Sequence, residues 1–136
     1  MQPLRAYLVE DSSVIRENLI AALEELAPVH VVGTAEDELT AVHWLSRFDL
    51  ECDLVIIDIF LKRGSGLGVL RSMTGLHGSM SLVVLSNYAT PDMRQKCLDL
   101  GASRVFDKSN EIDALISYCA HLAGGKTTSG AIDSVR

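Results

Sequence analysis

Leu54-Val55-Ile56-Ile57-Asp58 sets four apolar residues, three of them β-branched, directly before a carboxylate. An unbroken run of this kind fits a strand buried on both faces of a parallel sheet, where helices cover each side and polar alternation is lost. The same grammar recurs along the chain. Leu4–Val9 is an apolar run that stops at Glu10-Asp11, and Val29–Ala35 is a β-branched stretch whose end carries nothing notable. Residues 82–85 stop at Ser86, and Arg104–Asp107 stops just before Lys108.

Between these runs the apolar period lengthens to that of a helix. From Ser12/Ser13 onward, Ile15, Leu19, Ala22, Leu23 and Leu26 share a face, and Pro28 closes the segment. Residues 36–47 read as a helix with Leu39, Val42 and Trp44 facing inward. Gly64, Gly66 and Gly68 open a third helix over 67–73. Thr90 as N-cap and Pro91 at the first helical position start a fourth, which Gly101 ends. The last begins near Ser109 or Asn110, with Ile112, Leu115, Ile116 and Cys119 on one face. From Ala123 the sequence Ala-Gly-Gly-Lys-Thr-Thr-Ser-Gly reads as a flexible tail, so the expected organisation is a folded unit over 1–122 and a tail over 123–136. The expected fold is α/β: a doubly wound five-stranded parallel sheet with helices on both faces and right-handed crossovers.

Composition narrows the function. The 136 residues carry 12 Lys+Arg against 18 Asp+Glu, a formal charge of −6 that argues against direct nucleic-acid binding. A hydrophobic share of 48% with 22% charged residues suits one globular domain, not a disordered chain. No apolar run reaches the ~18–20 residues of a membrane span, and the first residues lack a signal-peptide core. A cytoplasmic protein without membrane insertion is expected. Cys52, Cys97 and Cys119 have no metal-binding spacing and read as small hydrophobes in a reducing compartment. His30, His43, His77 and His121 belong to no ligand motif and read as surface residues, while Trp44 and Tyr118 read as partial core. Gly64-Ser-Gly66-Leu-Gly68 lacks the spacing of a dinucleotide fingerprint, and Gly125-Lys126-Thr127 lacks the rest of a phosphate-binding loop.

In doubly wound sheets ligands bind beyond the carboxyl ends of the strands. Here those ends carry Glu10, Asp11, Asp58, Ser86 and Lys108. Like charges ~4 Å apart repel by ~4 kcal/mol at an effective dielectric of ~20, so three carboxylates together must retain protons or share a cation. Oxygen donors without imidazole suit Mg²⁺ or Mn²⁺. A carboxylate beside such an ion, with an ammonium and a hydroxyl opposite, is equipped to accept a phosphoryl group, and Asp58 is the best nucleophile.

Glu10-Asp11 after the first strand, Asp58 with Gly66 eight residues on, Ser86 and Lys108 resemble a response-regulator receiver domain of the CheY-like family. So do the stretches Val-Val-Leu-Ser-Asn-Tyr, Leu-Gly-Ala-Ser and Phe-Asp-Lys-Ser. The resemblance implies a flavodoxin-like strand order 2-1-3-4-5. It implies Asp58 as phosphoacceptor for a histidine kinase or histidine phosphotransfer protein. Asp11, Asp58 and the Phe60 backbone carbonyl would hold Mg²⁺, with Glu10 acting through water. Lys108 would pair with phosphoryl oxygens, and Ser86 would draw the following loop inward. A downstream protein target would then read the face formed by helix four, strand five and helix five.

Three features depart from the family pattern. Its switch aromatic falls at Val105, and Phe106 points to the opposite face. Ser109, not proline, follows Lys108, so a trans peptide is expected there. Phe60, Asn87 and Tyr88 crowd the phosphoryl position, an arrangement expected to shield an acyl phosphate from water. Two other readings compete: a pseudo-receiver acting as a phosphorylation-independent interaction module, and an aspartyl-nucleophile phosphatase of the haloacid dehalogenase type. The second is disfavoured because Ile59 and Phe60 follow Asp58 where an Asp-x-Asp pattern is needed. The chemistry expected of the domain is confined to its own phosphorylation and dephosphorylation, with no external substrate.

Overall fold

The computed structural model of the chain describes residues 3–47, 51–75 and 78–135, so the expectation for His77 lies outside the described residues. Five strands, β1 (Leu4–Val9), β2 (Val29–Ala35), β3 (Leu54–Asp58), β4 (Ser81–Ser86) and β5 (Arg104–Asp107), alternate with five helices. The helices are α1 (Ser13–Leu26), α2 (Glu38–Leu45), α3 (Gly66–Met73), α4 (Pro91–Asp99) and α5 (Ile112–Val135). The strands form one parallel sheet in the order β2-β1-β3-β4-β5, the doubly wound, flavodoxin-like arrangement.

All five residues of β3 are buried, which is why its sequence does not alternate. Alternation survives as a choice of layer. Val55 and Ile57 pack with Tyr7, Val84 and Val105 beneath α2, α3 and α4. Leu54 and Ile56 pack with Leu8, Leu85 and Phe106 beneath α1 and α5. Val105 and Phe106 therefore serve opposite layers, as strand geometry requires. Trp44 covers the edge of the first layer by stacking on Tyr7, ring centroids 3.9 Å apart.

The helix starts are fixed by side-chain caps. Ser12 Oγ accepts the Ile15 N–H at 3.3 Å, and Thr90 Oγ1 accepts the Met93 N–H at 3.2 Å with Pro91 just inside. Gly101, at φ 109°, turns the chain out of α4 in a conformation that side-chain-bearing residues avoid.

Three expectations are corrected. Asp37 caps α2 through the Thr40 N–H, so the helix starts at Glu38 and buries Ala41 and Leu45. Leu39, about 200° around the helix from Ala41, is 81% exposed instead of inward. In α1 the buried pair is Leu19 and Leu23, while Leu26 and Ile15 reach solvent. Finally, the helical backbone of α5 continues to Val135 through the segment read as a tail. Ala123 extends the i, i+4 stripe of Leu115 and Cys119 and is fully buried. Glycine within a helix costs only ~1 kcal/mol, a weak signal against a face already docked.

Candidate functional site

Register gathers the strand-end residues at one rim of the sheet. Val9 pairs with Ile57, which sets Glu10 level with Asp58. Asp58 pairs with Leu85, placing Ser86 one step further, and Ser86 pairs with Asp107, placing Lys108 one step beyond that. The chain returns tightly below this rim. The Gly66 N–H donates to the Ile59 carbonyl at 2.8 Å, and a Cβ at Gly66 would collide with the Asp58 carbonyl. That approach is why a glycine stands eight residues after Asp58.

Lys108 Nζ lies 2.7 Å from Glu10 Oε1 and 3.1 Å from Asp58 Oδ2. One carboxylate oxygen from each of Glu10, Asp11 and Asp58 lies within 4.8 Å of the others, a cluster of hard donors able to hold a small divalent cation. Glu10 and Asp58 are buried, and Asp11 is half-buried. The Glu10 carboxylate also accepts the Ser12 N–H at 3.1 Å, which joins the cluster to the start of α1. Buried Ser86 accepts the Tyr88 N–H on its hydroxyl at 3.0 Å, and its carbonyl accepts the Lys108 N–H at 2.9 Å.

Burial raises the Asp58 carboxyl from its ordinary 3.8 to about 6; the Lys108 ammonium opposes the rise and the Glu10 carboxylate adds to it. The group is thus mainly ionised at neutral pH. Burial pulls the Lys108 ammonium down, but its contacts with Glu10 and Asp58 more than offset this and leave it raised. One ammonium faces three carboxylates, and the cluster retains negative charge for a cation to neutralise.

The remaining candidates sit around the rim. Phe60 and Tyr88 are both exposed and meet edge to face, centroids 5.0 Å apart. The Phe60 backbone pairs with Ser65 across the loop after β3. Asn87 lines a groove of about 310 Å³ with Lys108, Ile15, Leu19 and Ile112, between α1 and α5. Val105 is buried beneath α4 and takes no part in the cluster. Among the described residues no peptide is cis, as expected for the Lys108–Ser109 bond.

Two participants escaped the sequence. Arg16 Nη1 donates to the Glu10 carbonyl at 2.8 Å while Nη2 pairs with Glu36 at 3.1 Å, fixing the turn that carries the acidic pair. Arg94 bonds three separate segments beside Val105. Both residues look like solvated helix positions in one dimension, and no spacing rule reveals contacts that depend on how the helix docks on the sheet.

A buried aspartate at a strand tip, a lysine in contact with it and a cation-competent acidic pair define a class: a doubly wound α/β domain with a charged cluster at its carboxyl rim. The family profile of the response regulator receiver domain matches residues 6–120, and the chain belongs to that family. Its functional class is accordingly phosphorelay signalling in two-component systems. The chain is 32% identical over 109 residues to protein-glutamate methylesterase/protein-glutamine glutaminase 5 of Anaeromyxobacter dehalogenans, covering 79% of this chain and 29% of that protein. It is 30% identical over 123 residues to a probable transcriptional regulatory protein of Picosynechococcus sp., covering 87% of this chain and 48% of that one. It therefore spans less than half the length of either relative. Among solved structures, the response regulator domain of Thermotoga maritima CheB superposes with a TM-score of 0.76 at 20% identity, over 89% of this chain and 96% of that one. A LuxR-family two-component response regulator from Aurantimonas sp. gives 0.79 at 24%, over 90% and 87%. At these identities the two structures attest the fold. Among the described residues no helix is long and apolar enough to cross a membrane.

Proposed function

We propose that Asp58 is the phosphoacceptor of a phosphorelay, taking its phosphoryl group from the phosphohistidine of a histidine kinase or phosphotransfer protein. A carboxylate oxygen of Asp58 forms the new P–O bond as the P–N bond breaks; the bonding pair returns to the imidazole, which takes up a proton. Asp11, Asp58 and the Phe60 carbonyl would hold Mg²⁺ or Mn²⁺, with Glu10 acting through water, and a cation so held would supply positive charge against the phosphoryl oxygens. Lys108 gives up its contacts with Asp58 and Glu10 to pair with those oxygens. The Ser86 hydroxyl donates to another and draws the loop after β4 inward. The Phe60–Tyr88 pair shields the acyl phosphate from water, and the face of α4, β5 and α5 passes the change to a downstream protein.

The observation that carries this reading is the convergence of the Lys108 ammonium on Glu10 and Asp58 at 2.7 and 3.1 Å within a three-carboxylate cluster. A phosphorylation-independent interaction module has no use for so costly a set of buried charges. The test is to add beryllofluoride, which stands in for the phosphoryl group on the aspartate, with Mg²⁺ and to record amide spectra of wild type and Asp58→Asn. Shifts spreading from Ser86 and Lys108 into α4 and β5, absent in the variant, are expected. A silent wild-type spectrum rejects the proposal in favour of the inert module.

A further inference from the structure

The β4–α4 loop is held from two sides. On the site side, the Ser86 hydroxyl accepts the Tyr88 N–H, so a shift of Ser86 carries Tyr88 and the adjoining Ala89. On the far side stands Arg94 of α4, whose guanidinium donates to three separate segments. Nε donates to the Ala89 carbonyl at 2.9 Å, Nη1 to the Val105 carbonyl of β5 at 2.8 Å, and Nη2 to Glu111 Oε1 at 2.7 Å. Glu111 is itself anchored. The same carboxylate oxygen accepts the Asp107 N–H at 2.7 Å, and the Glu111 N–H donates to the Asp107 carbonyl at 2.9 Å. Its own carbonyl accepts the Leu115 N–H at 3.0 Å, so Glu111 stands at the start of α5. Arg94 and Asp107 hold the Glu111 carboxyl below its usual range.

We propose that Arg94 and Glu111 form an ionic latch that ties the β4–α4 loop to β5 and to the start of α5, and that filling the Asp58 site releases the latch from the Ala89 carbonyl. The inference rests on the phosphoacceptor reading of Asp58 and names the element through which that site is regulated. A guanidinium is a planar fork with fixed donor directions. It cannot follow Ala89 inward while keeping Val105 and Glu111, because those two are fixed to the edge strand and to the α5 junction. The loop therefore has two discrete states, latched and released, in place of a continuous range. The latch, which takes the Val105 carbonyl of β5 as one of its anchors, supplies the second state that a switch requires. Linkage is reciprocal: if occupancy of the site favours release, release favours occupancy.

The test is a beryllofluoride titration at saturating Mg²⁺ on the full chain, in wild type, Arg94→Gln, Glu111→Gln and the double variant. Each single variant is expected to bind beryllofluoride at least about fivefold more tightly, the lower end of ordinary two-site coupling. The double variant should gain no more than the singles, since both act on one element. In unmodified protein, the Arg94 Nε–H resonance should shift and exchange faster with solvent on saturation, and remain unmoved in Asp58→Asn. Folded single variants with unchanged or weaker binding overturn the latch, because a merely structural brace loses affinity when cut. If the variants do not fold, the Arg94 Nε–H signal in wild type decides alone: its persistence under saturation overturns the latch. Wild-type shifts at Ser86 and Lys108 with Arg94 unmoved reject the latch and spare the phosphoacceptor reading; no wild-type response at all rejects both.

Discussion

The two rims of the sheet use the same residue types for opposite ends. At the amino rim, Arg5 pairs with Glu51, which is well exposed, and with Asp53 at 3.8 Å. Asp53 also accepts the Arg5 N–H at 2.8 Å, and the Asp53 backbone bridges β1 to β4 through Arg5 and Ser81. Charge there is solvated and matched to backbone donors, so it fastens strand to strand at little cost. At the carboxyl rim Glu10, Asp58 and Lys108 are nearly dry, and negative charge is in excess. Desolvation separates a seam from a site: it raises the Asp58 carboxyl and leaves three clustered carboxylates around one ammonium.

Truncating the cation at each rim breaks this comparison most sharply. Lys108→Ala strands two buried carboxylates and is expected to lower the unfolding free energy by about 3 kcal/mol at neutral pH without divalent ions, measured by urea denaturation. Of similar size is Asp58→Asn, which removes a carboxyl whose ionisation the fold disfavours. Because the folded-state value lies above the unfolded one, Asp58 favours the native state below pH ~4 and loses that contribution as pH rises through 6. In metal-free protein the variant should therefore be more stable than wild type by about 3 kcal/mol at pH 7, with most of the gain gone near pH 4. Denaturation series at the two pH values check this, and a pH-independent difference would contradict it. Phe60→Asn and Tyr88→Glu each open the aromatic pair and are expected to shorten the acyl-phosphate half-life, read as loss of label after the phosphodonor is removed; unchanged half-lives reject the shielding role. Smallest is Arg5→Ala, expected to cost about 0.5–1 kcal/mol because its partners are solvated. A loss equal to that of Lys108→Ala would erase the distinction between seam and site.

Legibility followed the range of the forces involved. β5 falls at Arg104–Asp107 and α4 opens on Thr90-Pro91 as read from sequence, because runs and caps are local. The rim residues were legible because parallel topology sends every strand end the same way, so order along the chain becomes neighbourhood in space. Leu39 was misread because an apolar residue in a short helix does not reveal which face docks; that depends on where Asp37 sets the first turn. The helical course of the chain beyond Ala123 was hidden for a related reason, since glycine and threonine content speaks of propensity and not of a stripe already buried. Arg16 and Arg94 act through long side chains on carbonyls of adjoining strand ends and loops, and such contacts exist only once the layers are assembled.

The central claim is that the Asp58 carboxylate, held against Lys108 inside the acidic cluster, takes up a phosphoryl group. Incubation of the intact chain with phosphoramidate and Mg²⁺, followed by intact-mass measurement and peptide mapping, tests it without any partner protein. A single phosphoryl adduct on the peptide that contains Asp58, absent from Asp58→Asn and greatly reduced in Lys108→Ala, is the predicted result. A folded wild-type chain that stays unmodified, or carries the group on another residue, would contradict it.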